Sequence, residues 1–250
     1  MSDRRVSEML HEAGAETWAA AIAHPMVREI AAGSLPHETF RGYFRQNVLY
    51  LEGYARAIGL VIAHAPDREA LDVLTRFEAR IVETEIPANL AFLDKLGGDE
   101  EIATGGGRMH PTTAAYAQHL LSVCSMPDCA AGLTALLPCQ WSYGEIARPL
   151  MAARPADPIY ADWIALFGDD DYDALVGETT AVLDRLVDPN DAPRVAELSA
   201  IFDRSISFEH AFWDMAYESG DSPEEQANER ANERANERAK ERAKERGGQP

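Results

Sequence analysis

Apolar residues recur at helical spacing through nearly every segment of this chain, and nowhere do two alternating runs meet across a tight turn. A sequence with that single period buries its apolar stripes by packing helix against helix, which predicts an all-α bundle of seven or eight helices. Proline and glycine supply the punctuation. The spacing predicts helices over 6–32, 36–65, 68–96, 111–125, 128–154, 159–167, 172–186 and 192–217. Pro25 should break or kink the first near His24, and Pro87 should interrupt the third. Gly33-Ser34-Leu35-Pro36 reads as a stop followed by a new start, and Gly97-Gly98 as a second stop. Gly105-Gly106-Gly107 reads as a loop, because it lacks the strand and the Lys-Ser/Thr of a phosphate cradle.

The pattern ends before the chain does. Residues 224–250 repeat Ala-Asn-Glu-Arg and then Ala-Lys-Glu-Arg, with no apolar side chain larger than alanine. They read as a solvated low-complexity tail, partly helical or disordered, with residues 1–223 as the folded domain. Seven Glu against five Arg and two Lys leave the tail neutral, so the formal charge of −19 belongs to residues 1–223. Those residues carry 35 acidic and 16 basic side chains, and Lys95 is their one lysine. Strong acidity with scarce lysine fits a surface solvated in concentrated salt, and so a halophilic cytoplasm; an ordinary acidic protein from a GC-rich genome is the other reading. The same charge disfavours nucleic acid, whose binding rests on neutralised phosphates. No charged-then-apolar leader opens the sequence and no apolar run approaches bilayer length, so a cytoplasmic protein with no membrane partner is expected.

Three cysteines without a CxxC pair suggest neither a disulfide framework nor zinc, and Cys124 and Cys129 read as core residues. Cys139 stands apart. It lies in LLPCQWSYGEI, residues 136–146, directly after Pro138 and one helical turn before Tyr143, so its thiol and that phenol should share a face. A cysteine that attacks carbon needs thiolate character and a neighbour that handles protons. Pro138 could open a helix, placing Cys139 in a first turn where the dipole favours thiolate. It could equally sit inside a longer helix and free backbone groups beside a pocket.

A carboxylate that could complete the set lies in FEHAFWDMAY, residues 208–217, where Glu209, Phe212 and Trp213 share a face. Among aromatics its pKa would rise toward the range useful for moving protons near neutrality. Asn47, Tyr50 and Tyr54 line one stripe of QNVLYLEGYAR, residues 46–56, and Tyr116 follows His110-Pro111-Thr112. Such aromatics commonly only pack, but with hydroxyls, an amide and a thiol they could wall a slot for a flat heterocycle. A di-iron site would need two Glu-x-x-His repeats; only Glu8 with His11 fits, once, so no metal is expected.

In chain order, HPMVREIAAGSLPHETFRGYFRQNVLYLEGYAR, ETEIPANLAFLDKLG, TTAAYAQHL, LLPCQWSYGEI, YADWIALF and FEHAFWDMAY resemble the TenA family (thiaminase II, aminopyrimidine aminohydrolase), over roughly 17–217 and in its cysteine-containing branch. The resemblance implies a haem oxygenase-like fold without haem, a homotetramer, no cofactor, and C–N hydrolysis on a 4-amino-2-methylpyrimidine substrate. It implies Cys139 as the nucleophile that adds to the ring and Glu209 as the acid/base. Tyr143 and Tyr116 would hydrogen-bond near the thiol and ring, with Tyr50 and Phe212 helping to form the pocket. The family usually has Gln-Asp where this chain has Gln46-Asn47, and often a tyrosine in the region of Phe167. The aspartate reads the aminopyrimidine edge; asparagine keeps an acceptor but loses the charge. Two other readings stay open: a non-catalytic pyrimidine-binding or regulatory protein, and a cysteine hydrolase acting on another amine-bearing heterocycle.

Overall fold

The structure, a computed structural model, describes residues 4–219; the expectation for the tail, residues 224–250, lies outside the described residues. The described residues form helices and no strand, so the all-α architecture holds. The helices are α1 (Val6–Ala13), α2 (Ala15–Ile22), α3 (Pro25–Ala32), α4 (His37–Ala63), α5 (Arg68–Arg80), α6 (Ile86–Lys95), α7 (Glu100–Ala103), α8 (Pro111–Cys124), α9 (Cys129–Leu150), α10 (Pro158–Gly168), α11 (Asp170–Leu186) and α12 (Ala192–Ser219). A π-helical turn, Ile81–Glu85, joins α5 to α6.

Short polar side chains start these helices. Asp67, Asp128 and Asp169 accept from backbone N–H groups three residues on, at 2.9, 3.1 and 2.6 Å, to open α5, α9 and α11. His24 and His110 do the same work through Nδ1, each followed by a proline at the first helical position. Gly33, at φ +66°, closes α3 in the left-handed conformation.

The long helices α4 and α9 form the centre. α4 packs against α5, α6, α8, α9 and α12, while α9 packs against α8, α10, α11 and α12. Where α9 crosses α4 the backbones approach closely: a Cβ on Gly132 would lie 2.5 Å from Val61 Cγ2. Among the described residues no helix is long and apolar enough to cross a membrane.

The finer partition differs from the expected one. The first segment, expected as one helix broken at Pro25, is three helices, because Gly14 also ends a helix, at φ −93° and ψ 9°. The interruption at Pro87 takes the form of the π turn, closed by the Ile86 N–H bonding to the Ile81 carbonyl. Pro87 has no N–H and its ring would crowd the Glu83 carbonyl in a regular helix; a widened turn relieves that conflict. The short α7, capped by Asp99, was not expected. These additions raise the count beyond seven or eight.

Candidate active site

Four helices bring the chemistry together: α4 with Tyr43, Asn47, Tyr50 and Tyr54, α8 with Tyr116, α9 with Cys139 and Tyr143, and α12 with Glu209, Phe212 and Trp213. Pro138 sits inside α9, so of the two local readings the internal proline is the one found. Cys139 is far from the helix start and gains nothing from a first-turn dipole. Its thiol is instead pushed well above its ordinary value, first by burial and then by the Glu209 charge, against a smaller opposing pull from the Tyr50 hydroxyl.

Glu209 is the buried carboxyl beside the thiol. It is 2% exposed. Its Oε1 accepts from the Tyr116 hydroxyl at 2.7 Å, and the Cys139 thiol is a neighbour of the same carboxyl. Burial pushes the Glu209 carboxyl up to about 7, even though the Tyr116 bond and the neighbouring thiol favour the charged form. The pair therefore holds a protonated thiol beside a base that can take its proton near neutrality.

Tyrosine and tryptophan build the walls. The Tyr116 ring stacks on Tyr50, centroids 4.8 Å apart, and on Phe208 at 5.3 Å. Tyr43 and Trp213 stack almost parallel at 5.5 Å, and Trp213 also stacks on Tyr143 at 5.4 Å. Phe212 packs 5.8 Å from Tyr50, and Phe167 meets Tyr143 edge-on at 4.9 Å. The Tyr50 hydroxyl and the Trp163 and Trp213 indole nitrogens are buried without a hydrogen bond of good geometry. On either side of Cys139, the Tyr54 hydroxyl donates to the Leu136 carbonyl at 2.7 Å and the Tyr172 hydroxyl to the Gln140 carbonyl at 2.8 Å. Two neighbouring helices thus brace the segment that carries the thiol.

Of the expected residues, Tyr116, Cys139 and Glu209 are neighbours, while Tyr143 and Asn47 are engaged with other side chains. Tyr143 lies near the thiol, but its hydroxyl pairs with Tyr43 at 3.0 Å rather than with sulfur. The Asn47 amide bonds elsewhere than to the thiol or Glu209. Its Nδ2 donates to Asn89 Oδ1 at 2.9 Å, and Asn89 Nδ2 donates to the Glu85 carbonyl at 2.8 Å. The sequence reading missed Tyr43, Asn89 and Glu85. Extending the α4 stripe one turn back from Asn47 finds Tyr43. Glu85 is a buried carboxyl in the π turn, pushed up to about 7 by burial against the pull of Arg80, whose Nε lies 3.6 Å away. No sequence signal marks that burial. Among the described residues no group of three His, Cys, Asp or Glu side chains could hold a metal ion. Glu8 pairs with Arg5, and His11 lies against Glu145.

An all-helical domain of this architecture defines the class: a haem oxygenase-like bundle, here with a buried thiol, a buried carboxyl and aromatic rings gathered between its helices. The chain belongs to the TENA/THI-4/PQQC family, whose model matches residues 11–219. It is 30% identical over 213 residues to the aminopyrimidine aminohydrolase of Halalkalibacterium halodurans, covering 83% of this chain and 93% of that protein. A solved TenA homologue from P. horikoshii superposes with a TM-score of 0.78 at 27% identity, covering 86% of this chain and 99% of the other. A haem oxygenase-like domain from Shewanella denitrificans shares the fold at 13% identity and a TM-score of 0.67, over 87% of this chain and 94% of the other.

Proposed function

We propose that this protein is a thiamin-salvage hydrolase that cleaves the exocyclic C–N bond of 4-amino-5-aminomethyl-2-methylpyrimidine. Water replaces the amine, giving the hydroxymethylpyrimidine and ammonia; thiamin, with its thiazolium leaving group, is a second candidate substrate. The observation that carries the reading is the Cys139 thiol set against the Glu209 carboxyl, with Tyr116 on one of its oxygens. The kinship with aminopyrimidine aminohydrolases supports the substrate class.

In this reading Glu209 takes the thiol proton as sulfur adds to the pyrimidine ring, and delivers a proton to the ring nitrogen. The exocyclic amine, an ammonium in neutral water, leaves the methylene carbon as ammonia as ring electrons form an exocyclic C=C bond. Water then adds at that carbon with its proton passing to Glu209, the thiolate leaves and takes that proton back, and the ring nitrogen releases its own proton to ammonia, restoring the neutral aromatic ring. Tyr50 and the two indoles, buried without good internal partners, are donors left for a bound heterocycle. A cytoplasmic homotetramer completes the proposal.

Ammonia release in molar KCl tests it. Cys139→Ala should fall to background with the fold intact, and Glu209→Gln should lose about 10²–10⁴-fold in kcat, the usual range for a general acid/base. Substantial turnover by Cys139→Ala would remove the nucleophile assignment. Tight pyrimidine binding without ammonia release from the native chain would favour the binding-only reading instead.

A further inference from the structure

The two-asparagine relay behind the pocket determines what Asn47 can offer a ligand. An amide alone is ambiguous, since oxygen and nitrogen can exchange places by a flip of the side chain. Here a backbone carbonyl removes the ambiguity. The Glu85 carbonyl can only accept, so Asn89 must turn its Nδ2 toward it, at 2.8 Å. That leaves Asn89 Oδ1 facing Asn47, which must answer with its own Nδ2, at 2.9 Å. Asn47 Oδ1 and the second hydrogen of its Nδ2 remain, and neither is engaged with another of the described residues. Both asparagines are buried, so neither is free to rearrange through solvent.

Asn47 also shares a helix face with residues of the site. It lies on α4 one turn after Tyr43 and one turn before Tyr50, which share its face. Tyr43 is bonded to Tyr143, and Tyr50 adjoins the Cys139 thiol. We propose that Asn89 is a positioning residue that locks the Asn47 amide with Oδ1 toward the ligand, so that this edge of the pocket favours a pyrimidine whose amino group meets Oδ1 over one that presents an acceptor to it. The inference rests on the aminopyrimidine reading above and adds to it the source of discrimination.

The relay has a second consequence. A carboxylate at position 47 would set one of its oxygens against Asn89 Oδ1, acceptor facing acceptor at bonding distance. Asn89 cannot flip to relieve this without turning its oxygen on the Glu85 carbonyl. Asn47→Asp should therefore weaken binding in this chain rather than improve it.

Calorimetric titration with 4-amino-5-hydroxymethyl-2-methylpyrimidine and its 4-methoxy counterpart, which accepts but cannot donate, tests the selection. The native chain should prefer the amino compound, and Asn89→Ala should shrink the preference by roughly 10-fold or more, mainly by admitting the methoxy compound. Asn47→Asp, which keeps side-chain size, should bind the amino compound more weakly than the native chain. In turnover, Asn89→Ala should raise KM with kcat largely retained. A ligand-free readout accompanies these: the Asn47 side-chain amide NMR signal should exchange slowly in the native chain and quickly in Asn89→Ala. An unchanged preference, an unchanged amide signal, or tighter binding by Asn47→Asp would each overturn the relay while leaving the hydrolase reading in place. Failure of the native chain to bind the amino compound would overturn both.

Discussion

Glu209 and Glu85 each sit in the interior with a carboxyl pushed up to about 7 from the ordinary 4.5, burial being the largest cause in both. Folded, they hold their protons up to about pH 7; unfolded, they release them near the ordinary value. Between those limits the folded state binds more protons, so stability falls as pH rises through that window and is greatest toward its acid end. The two together are worth on the order of a few kcal/mol. Melting temperature should therefore drop between pH 5 and 8, and Glu85→Gln should flatten that slope whatever it does to the midpoint at any one pH. An unaltered slope would show that Glu85 does not titrate in this range. At this scale the sequence exposes some partners and hides others. Glu209 among aromatics and the thiol one turn from Tyr143 are local patterns, and both reach the site. Tyr43 meets Tyr143 across a hundred positions of chain, and Glu85 is buried within a π turn; local spacing gives neither that pairing nor that burial.

The crossing of α4 and α9 sets the position of the element that carries Cys139. Gly132 permits it, since an added Cβ would meet Val61 Cγ2 at 2.5 Å. Gly132→Ala should destabilise by about 1–3 kcal/mol through overpacking. Gly177→Ala on α11 is the control, because its Cβ would meet nothing within 4 Å and alanine favours helix by up to about 1 kcal/mol. Chemical denaturation of both variants measures the contrast; equal effects would mean the crossing relaxes freely. Helix boundaries were largely legible because they are written in local chemistry: Asp caps, His-Pro starts and the Gly33 stop act within a few residues. The break at Gly14 was not, whereas the helix expected over 128–154 does run through Pro138. A glycine or proline at such a place permits two outcomes, and packing against α4, α10, α11 and α12 decides for α9.

At the scale of the whole molecule, charge is what most needs accounting. Residues 1–223 hold 35 acidic side chains against 16 basic ones, and the fold spreads its few cations among several anions. Arg45 reaches Asp99 and Glu101, Arg148 reaches Asp170 and Asp173, Arg185 reaches Asp67 and Glu69, and Arg194 reaches Asp128 and Glu197. Each arginine thus brings two carboxylates close to one another. Exposed pairs of this kind contribute about 0–1 kcal/mol apiece and are themselves weakened by salt. The remaining carboxylates repel one another over distances comparable with the Debye length, about 10 Å at 0.1 M and 3 Å at 1 M. Salt therefore removes a small attraction and a larger repulsion. The melting temperature should rise from low to molar KCl, with activity following the folded fraction. A flat or falling melting temperature over that range would mean that the arginine pairs already balance the acidic surface, and the halophilic reading would lose its physical basis.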